Sequence, residues 1–124
     1  MKNKTFLQRL GREKIYQFAC RFVGDDKKYY GLDVYANEAI VEFVDKNNIV
    51  YTLTLNNTHA EKTNFGWDFI GSQHAFNTEW RMYMYDNFGE EYIEFLKQSP
   101  DITKIDLRKL NESLTQRKED ELYR

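Results

Sequence analysis

Covalent cross-linking is the first thing this chain lacks. Its 124 residues hold a single cysteine, Cys20, so an internal disulfide framework is excluded and a reducing compartment, the cytoplasm, is expected. One proline and six glycines exclude a Pro/Gly-rich disordered chain. No apolar run approaches the ~20 residues of a membrane-spanning helix. The basic start, MKNKTFLQRLGREK, lacks the apolar stretch of a secretory signal. The phosphate-cradling loops G-x-x-x-x-G-K-[ST] and G-x-G-x-x-G and the nucleophile elbow G-x-S-x-G are missing too, so no cofactor is expected.

What is present is a single domain's worth of sequence, 1–124, with an unusual load of rings: 16% of the residues are aromatic. Charge is unevenly spread. Residues 1–24 carry six bases against one acid, residues 25–101 fourteen acids against six bases, and residues 102–124 six bases against five acids. A basic first segment ahead of an acidic body gives a dipolar field able to orient the molecule toward a charged partner. Direct nucleic-acid binding, with Lys2, Lys4, Arg9, Arg12 and Lys14 on phosphates and Tyr29 and Tyr30 stacking on bases, is disfavoured by the acidic pI of about 5.7.

Periodicity predicts an α+β fold. Thr5 and Gln8 have capping-box spacing. After them Phe6, Leu7, Leu10, Ile15, Phe18, Ala19 and Phe22 recur at helical steps, with Gly11 able to split the segment and Gly24 to stop it. Residues 29–55 then read as an antiparallel meander: Tyr30, Leu32 and Val34 alternate, then Ala39, Val41 and Phe43, then Ile49, Tyr51, Leu53 and Leu55. Asp45-Lys46-Asn47-Asn48 supplies turn chemistry. Asn56 to Asn64 reads as a polar loop, and Phe65, Trp67 and Phe69 as a fourth strand near 65–70. Ser72 to Asn87 fits either a helix or a strand. Its length favours a helix capped by Asn77 or Thr78, in which Tyr83 and Tyr85 cannot both face inward. Further helices are expected over Glu90–Gln98, facing inward with Tyr92, Phe95 and Leu96, and from about Asp106, capped by Thr103. Leu107, Leu110, Leu114 and Leu122 make a stripe too thin for a buried helix, which suits a domain edge or self-association with a second copy.

The chemistry-bearing residues give little support for catalysis. Cys20 sits beside Phe18, Ala19 and Phe22, and reads as a small core residue. His59-Ala60-Glu61 echoes the H-x-E of zinc deaminases without the cysteine pair that holds their metal. His59, Glu61 and His74 lack any fixed ligand spacing, so no metal is expected. Glu90, Glu91 and Glu94 fit a helix start complementing the macrodipole. Asn56-Asn57-Thr58 matches a glycosylation acceptor.

The reading that remains is a non-enzymatic protein-binding module. Its acidic part is Asp25, Asp26, Asp33, Glu38, Glu42 and Asp45, and its anchors are Tyr29, Tyr30 and Tyr35, since tyrosine buries much area at low entropic cost. Carboxylates on strands and loops can imitate a phosphate backbone, so the expected partner is a basic groove on a nucleic-acid-binding protein or nuclease. In size and Lys/Asn/Tyr-rich composition the chain resembles the small orphan proteins of phages and mobile elements, among them anti-defence inhibitors such as anti-CRISPR proteins, and toxin-neutralising immunity proteins. The alternative is a protein sequestering a nucleotide signal, with Arg81, Trp80 and Tyr83, or Arg108 and Lys109, as its grip. A His59–His74 pair sharing a polar partner would instead reopen an enzymatic reading.

Overall fold

The computed structural model describes residues 4–64 and 72–122. The order of elements is α1 (Phe6–Leu10), α2 (Arg12–Cys20), β1 (Lys27–Val34), β2 (Glu38–Asp45), β3 (Val50–Asn56), β4 (Ala60–Lys62), α3 (Gln73–Phe88), α4 (Glu90–Gln98) and α5 (Lys104–Leu122). The four strands form one antiparallel sheet in the order β1-β2-β3-β4, and the architecture is α+β with helices before and after the sheet. No described helix is long and apolar enough to cross a membrane.

Local signals set the helix ends. The Thr5–Gln8 capping box is formed on both sides, at 3.2 and 3.1 Å. Gly11, at φ 88°, separates α1 from α2. This is a backbone conformation that glycine adopts without Cβ strain. Thr103 and Asp106 cap α5 reciprocally. Gly24 is not the stop for α2, which ends at Cys20 and turns through Arg21. There Phe22 comes back against Phe18 and Phe76, at 4.8 and 4.9 Å between rings. The third helix begins earlier than its expected caps, with Ser72 accepting from the Ala75 amide.

One face of the sheet carries the core. Ala39, Val41 and Phe43 of β2, Leu53 and Leu55 of β3, Ala60 of β4 and Leu32 of β1 are buried with Phe18, Phe76, Trp80, Met84, Tyr92 and Leu96 from the helices. Two expectations are corrected here. Cys20 is exposed: Ile15, Phe18 and Ala19 take the inward face of α2, leaving Cys20 a turn beyond Tyr16 on the outer side. Leu110 is fully buried, with Leu107 and Leu114 packed against the same core, so these three leucines of the stripe are engaged within the chain. In α4, Ile93 takes the buried place expected of Phe95, which lies at the core's margin.

The sheet also has a described strand that periodicity did not predict. It is Ala60–Lys62, inside the segment read as a polar loop, paired with Leu53–Leu55. The strand expected near 65–70 lies outside the described residues. In β1 the register against β2 slips between Tyr29 and Gly31. This β-bulge puts Tyr29 opposite Phe43 and Leu32 opposite Val41, so both lie on the core side despite their odd spacing. The simple alternation of Tyr30 with Leu32 does not survive it.

Candidate functional site

Register defines the second face of the sheet. Asp33 pairs with Ile40, Ile40 with Thr54, and Thr54 with Glu61, a row across all four strands. The next rows are Gly31–Glu42–Thr52 and Lys28–Val44–Val50. Glu38 stands opposite Asn56. These residues are half-buried or exposed, in contrast to the buried alternates between them. Strands lie about 4.8 Å apart, so the carboxylates of Asp33 and Glu61 close the two ends of a row only about 14 Å wide. Among the described residues the face thus holds four carboxylates, Asp33, Glu38, Glu42 and Glu61, against the single amine of Lys28. Among the described residues these four make no ion pair or side-chain hydrogen bond. Toward the β2–β3 turn the face becomes apolar, where Val50, opposite Val44, is 40% exposed.

The nine residues expected to form one patch are divided by the fold. Asp33, Glu38 and Glu42 share the open face. Tyr30 is at the bulge and Tyr35 at the β1–β2 connection, 65% and 54% exposed. Tyr29 lies on the opposite, helical face at the sheet edge, edge-to-face with Tyr16 at 5.1 Å. Asp25 and Asp26 precede β1, and Asp26 pairs with Lys27 at 3.0 Å. Asp45 is occupied by its own turn. Its carboxylate accepts from the amides of Ile49 and Asn47 and from the Tyr51 hydroxyl. The Ile49 amide is the main reason its pKa lies below the ordinary aspartate value. Asn48, at φ 63°, completes that turn. Glu61, weighed by sequence only as a metal ligand, joins the face, as do Ile40, Val44 and Val50. Ile49 keeps the side of Tyr51 and Leu53 that its alternation predicts, but it closes the turn through its carbonyl to the Asp45 amide and is 48% exposed.

A second polar cluster lies on the helical side, around the β3–β4 connection. Asn56 accepts through its side chain from the amides of Thr58 and His59 and from the Thr58 hydroxyl. The Trp80 indole donates to the Asn56 carbonyl at 2.8 Å, Arg81 Nε to the Thr58 carbonyl at 2.9 Å, and the Tyr92 hydroxyl to the Asn57 carbonyl. Asn77 receives the Ala60 amide. Arg81, 1% exposed, also reaches His59 Nδ1 at 3.2 Å and Asp106 at 3.7 Å, while His74 Nδ1 meets the same Asp106 oxygen at 3.0 Å.

His59 meets Arg81 and His74 meets Asp106, so the two histidines have no partner in common and are joined only through the Arg81–Asp106 pair. What that pair does is hold the loop and the start of α5 onto α3. Burial lowers the Arg81 pKa against the opposing pull of Asp106. Burial also works to raise the Asp106 pKa, but the hydroxyl and amide of Thr103, with Arg81 and His74, outweigh it and hold the carboxyl below its ordinary value. Tyr92 is pushed upward by desolvation. His59, Glu61 and His74 do not converge, and among the described residues no group of three or more His, Cys, Asp or Glu is placed to hold a metal. Trp80 and Arg81, two members of the expected nucleotide grip, are buried in the core and bonded to loop carbonyls.

Comparison with known proteins returns no matching family model and no significantly similar curated protein or solved structure.

Proposed function

We propose that this protein is a non-catalytic binding module that docks the open face of its sheet on a basic, nucleic-acid-binding surface of another protein. This is the mode of a small anti-defence inhibitor carried by a phage or mobile element. The observation that carries the reading is the set of unpaired carboxylates Asp33, Glu38, Glu42 and Glu61 on one sheet face, bordered by exposed Val50 and by Tyr30 and Tyr35. Carboxylates elsewhere, such as Asp45, Glu91 and Asp106, are committed to turns, ion pairs or caps. Acidic side chains fixed on a rigid sheet present charge at low entropic cost, and apolar residues beside them supply the area that charge alone does not.

The test is affinity capture from host lysate at low and high salt, comparing the natural protein with Glu38→Lys/Glu42→Lys/Glu61→Lys. The expected result is recovery of a basic nucleic-acid-binding protein at low salt, its release by added DNA, and its loss with the triple variant. A recovered set indifferent to charge reversal, salt and DNA would refute the reading.

A further inference from the structure

The strand order leaves β1 at one end of the sheet, an edge of eight residues. An edge of this length offers unpaired backbone groups to another strand. The Tyr35 amide donates to the Glu38 carbonyl at 2.7 Å. By the alternation of an antiparallel ladder, Asp33 and Gly31 then bond toward β2, and Leu32 and Val34 turn their N–H and C=O groups outward. Beside this edge stands a group of exposed rings, Tyr16, Tyr29 and Tyr30, at 40%, 44% and 65% exposure. Exposed apolar area concentrated in one place marks contact surfaces.

We propose that β1 pairs antiparallel with β1 of a second copy about a two-fold axis at Gly31, joining two four-stranded sheets into one of eight strands. The edge is complementary to itself in charge. Residues opposed across an antiparallel pair lie on the same face. The bulge sets Lys28, Gly31 and Asp33 on the open face and Tyr29, Leu32 and Val34 on the helical face. With Tyr30 of each copy left out of the seam as it is left out of the pairing with β2, centring on Gly31 places Lys28 opposite Asp33 of the second copy, twice by symmetry, and Tyr29 opposite Leu32 of the second copy.

Without the bulge the same register would oppose residues from different faces. Neither Lys28 nor Asp33 has a partner among the described residues of its own chain. A lysine and a bulge ordinarily blunt an edge. Here the lysine meets an aspartate at the symmetry-related position, and Gly31 brings no side chain to the axis. The pairing goes beyond the proposed function and does not depend on it: it takes Asp33 into the seam and leaves Glu38, Glu42 and Glu61 on the open face.

Sedimentation velocity of the full chain from micromolar to millimolar concentration tests it. A concentration-dependent dimer is expected. Lys28→Asp and Asp33→Lys each set like charges across the seam, and each is expected to weaken association about tenfold at low salt. Lys28→Asp/Asp33→Lys combined is expected to restore it, with circular dichroism checking each fold. Gly31→Cys in a Cys20→Ser background is expected to cross-link on mild oxidation, because the pair at the axis brings Cα atoms to about 4.5 Å. A monomer throughout, a double variant no better than either single one, or a dimer that does not cross-link would each overturn the proposal.

Discussion

The two faces of the sheet are made by the same strands through the same alternation, yet they treat polar groups in opposite ways. On the helical side, side chains of α3 and α4 reach into the Asn56–Ala60 connection and meet its backbone: Trp80, Arg81, Asn77 and Tyr92 each bond to it. On the open side, the carboxylates of Asp33, Glu38, Glu42 and Glu61 bond to nothing described. A polar residue's sequence neighbourhood does not reveal which kind it is. Partnered polar groups hold the fold, and unpartnered ones arranged by register are free to meet something else.

That contrast can be broken most severely at Arg81. Arg81→Met removes the donor to the Thr58 carbonyl and leaves Asp106 facing an apolar side chain, so unfolding stability is expected to fall by about 3 kcal/mol, measured by urea titration. Asp106→Asn is expected to cost about 2 kcal/mol near neutral pH, with a dependence on acidity that identifies its cause. The folded-state pKa of Asp106 is depressed, so its stabilisation is complete above the ordinary aspartate value and is lost as pH falls through the folded one. The gap between natural and variant proteins should therefore close in acid, and a gap that does not narrow would rule out the charge as the source.

Asn56→Ala, which removes the acceptor of three hydrogen bonds, is expected to cost about 1.5 kcal/mol by the same titration. At the far end of the scale, Glu42→Lys/Glu61→Lys is expected to shift stability by less than about 0.5 kcal/mol while abolishing capture of the basic partner. A large stability loss in that variant would show that the open face is structural after all.

Most of the helical framework was legible because its signals are local. The Thr5–Gln8 and Thr103–Asp106 caps, the break at Gly11 and the core stripe of α2 each lie within a few residues of their partners. The meander was legible for the same reason, as β2 and β3 alternate cleanly. What was not legible depends on distant partners. Three residues of β4 show no period, and their place is fixed by β3 and by Asn77 and Gln73 of α3. Arg81 reads as part of a nucleotide grip until a carbonyl 23 residues away is brought to it. The acidic site was half legible. Asp33, Glu38 and Glu42 were named, but the division of the remaining candidates between a turn, a loop and the opposite face is set by register, which one chain read by itself does not display.

The bulge between Tyr29 and Gly31 has a consequence for how this chain can change in length. Elsewhere in β1 or β2, losing one residue would turn the following side chains over, exchanging interior for exterior along the strand. At position 30 the extra residue has no opposite number, since Tyr29 faces Phe43 and Gly31 faces Glu42. Deleting Tyr30 would leave Leu32 still directed at Val41. Position 30 is therefore a point at which natural variation can shorten the strand while leaving the interior in frame.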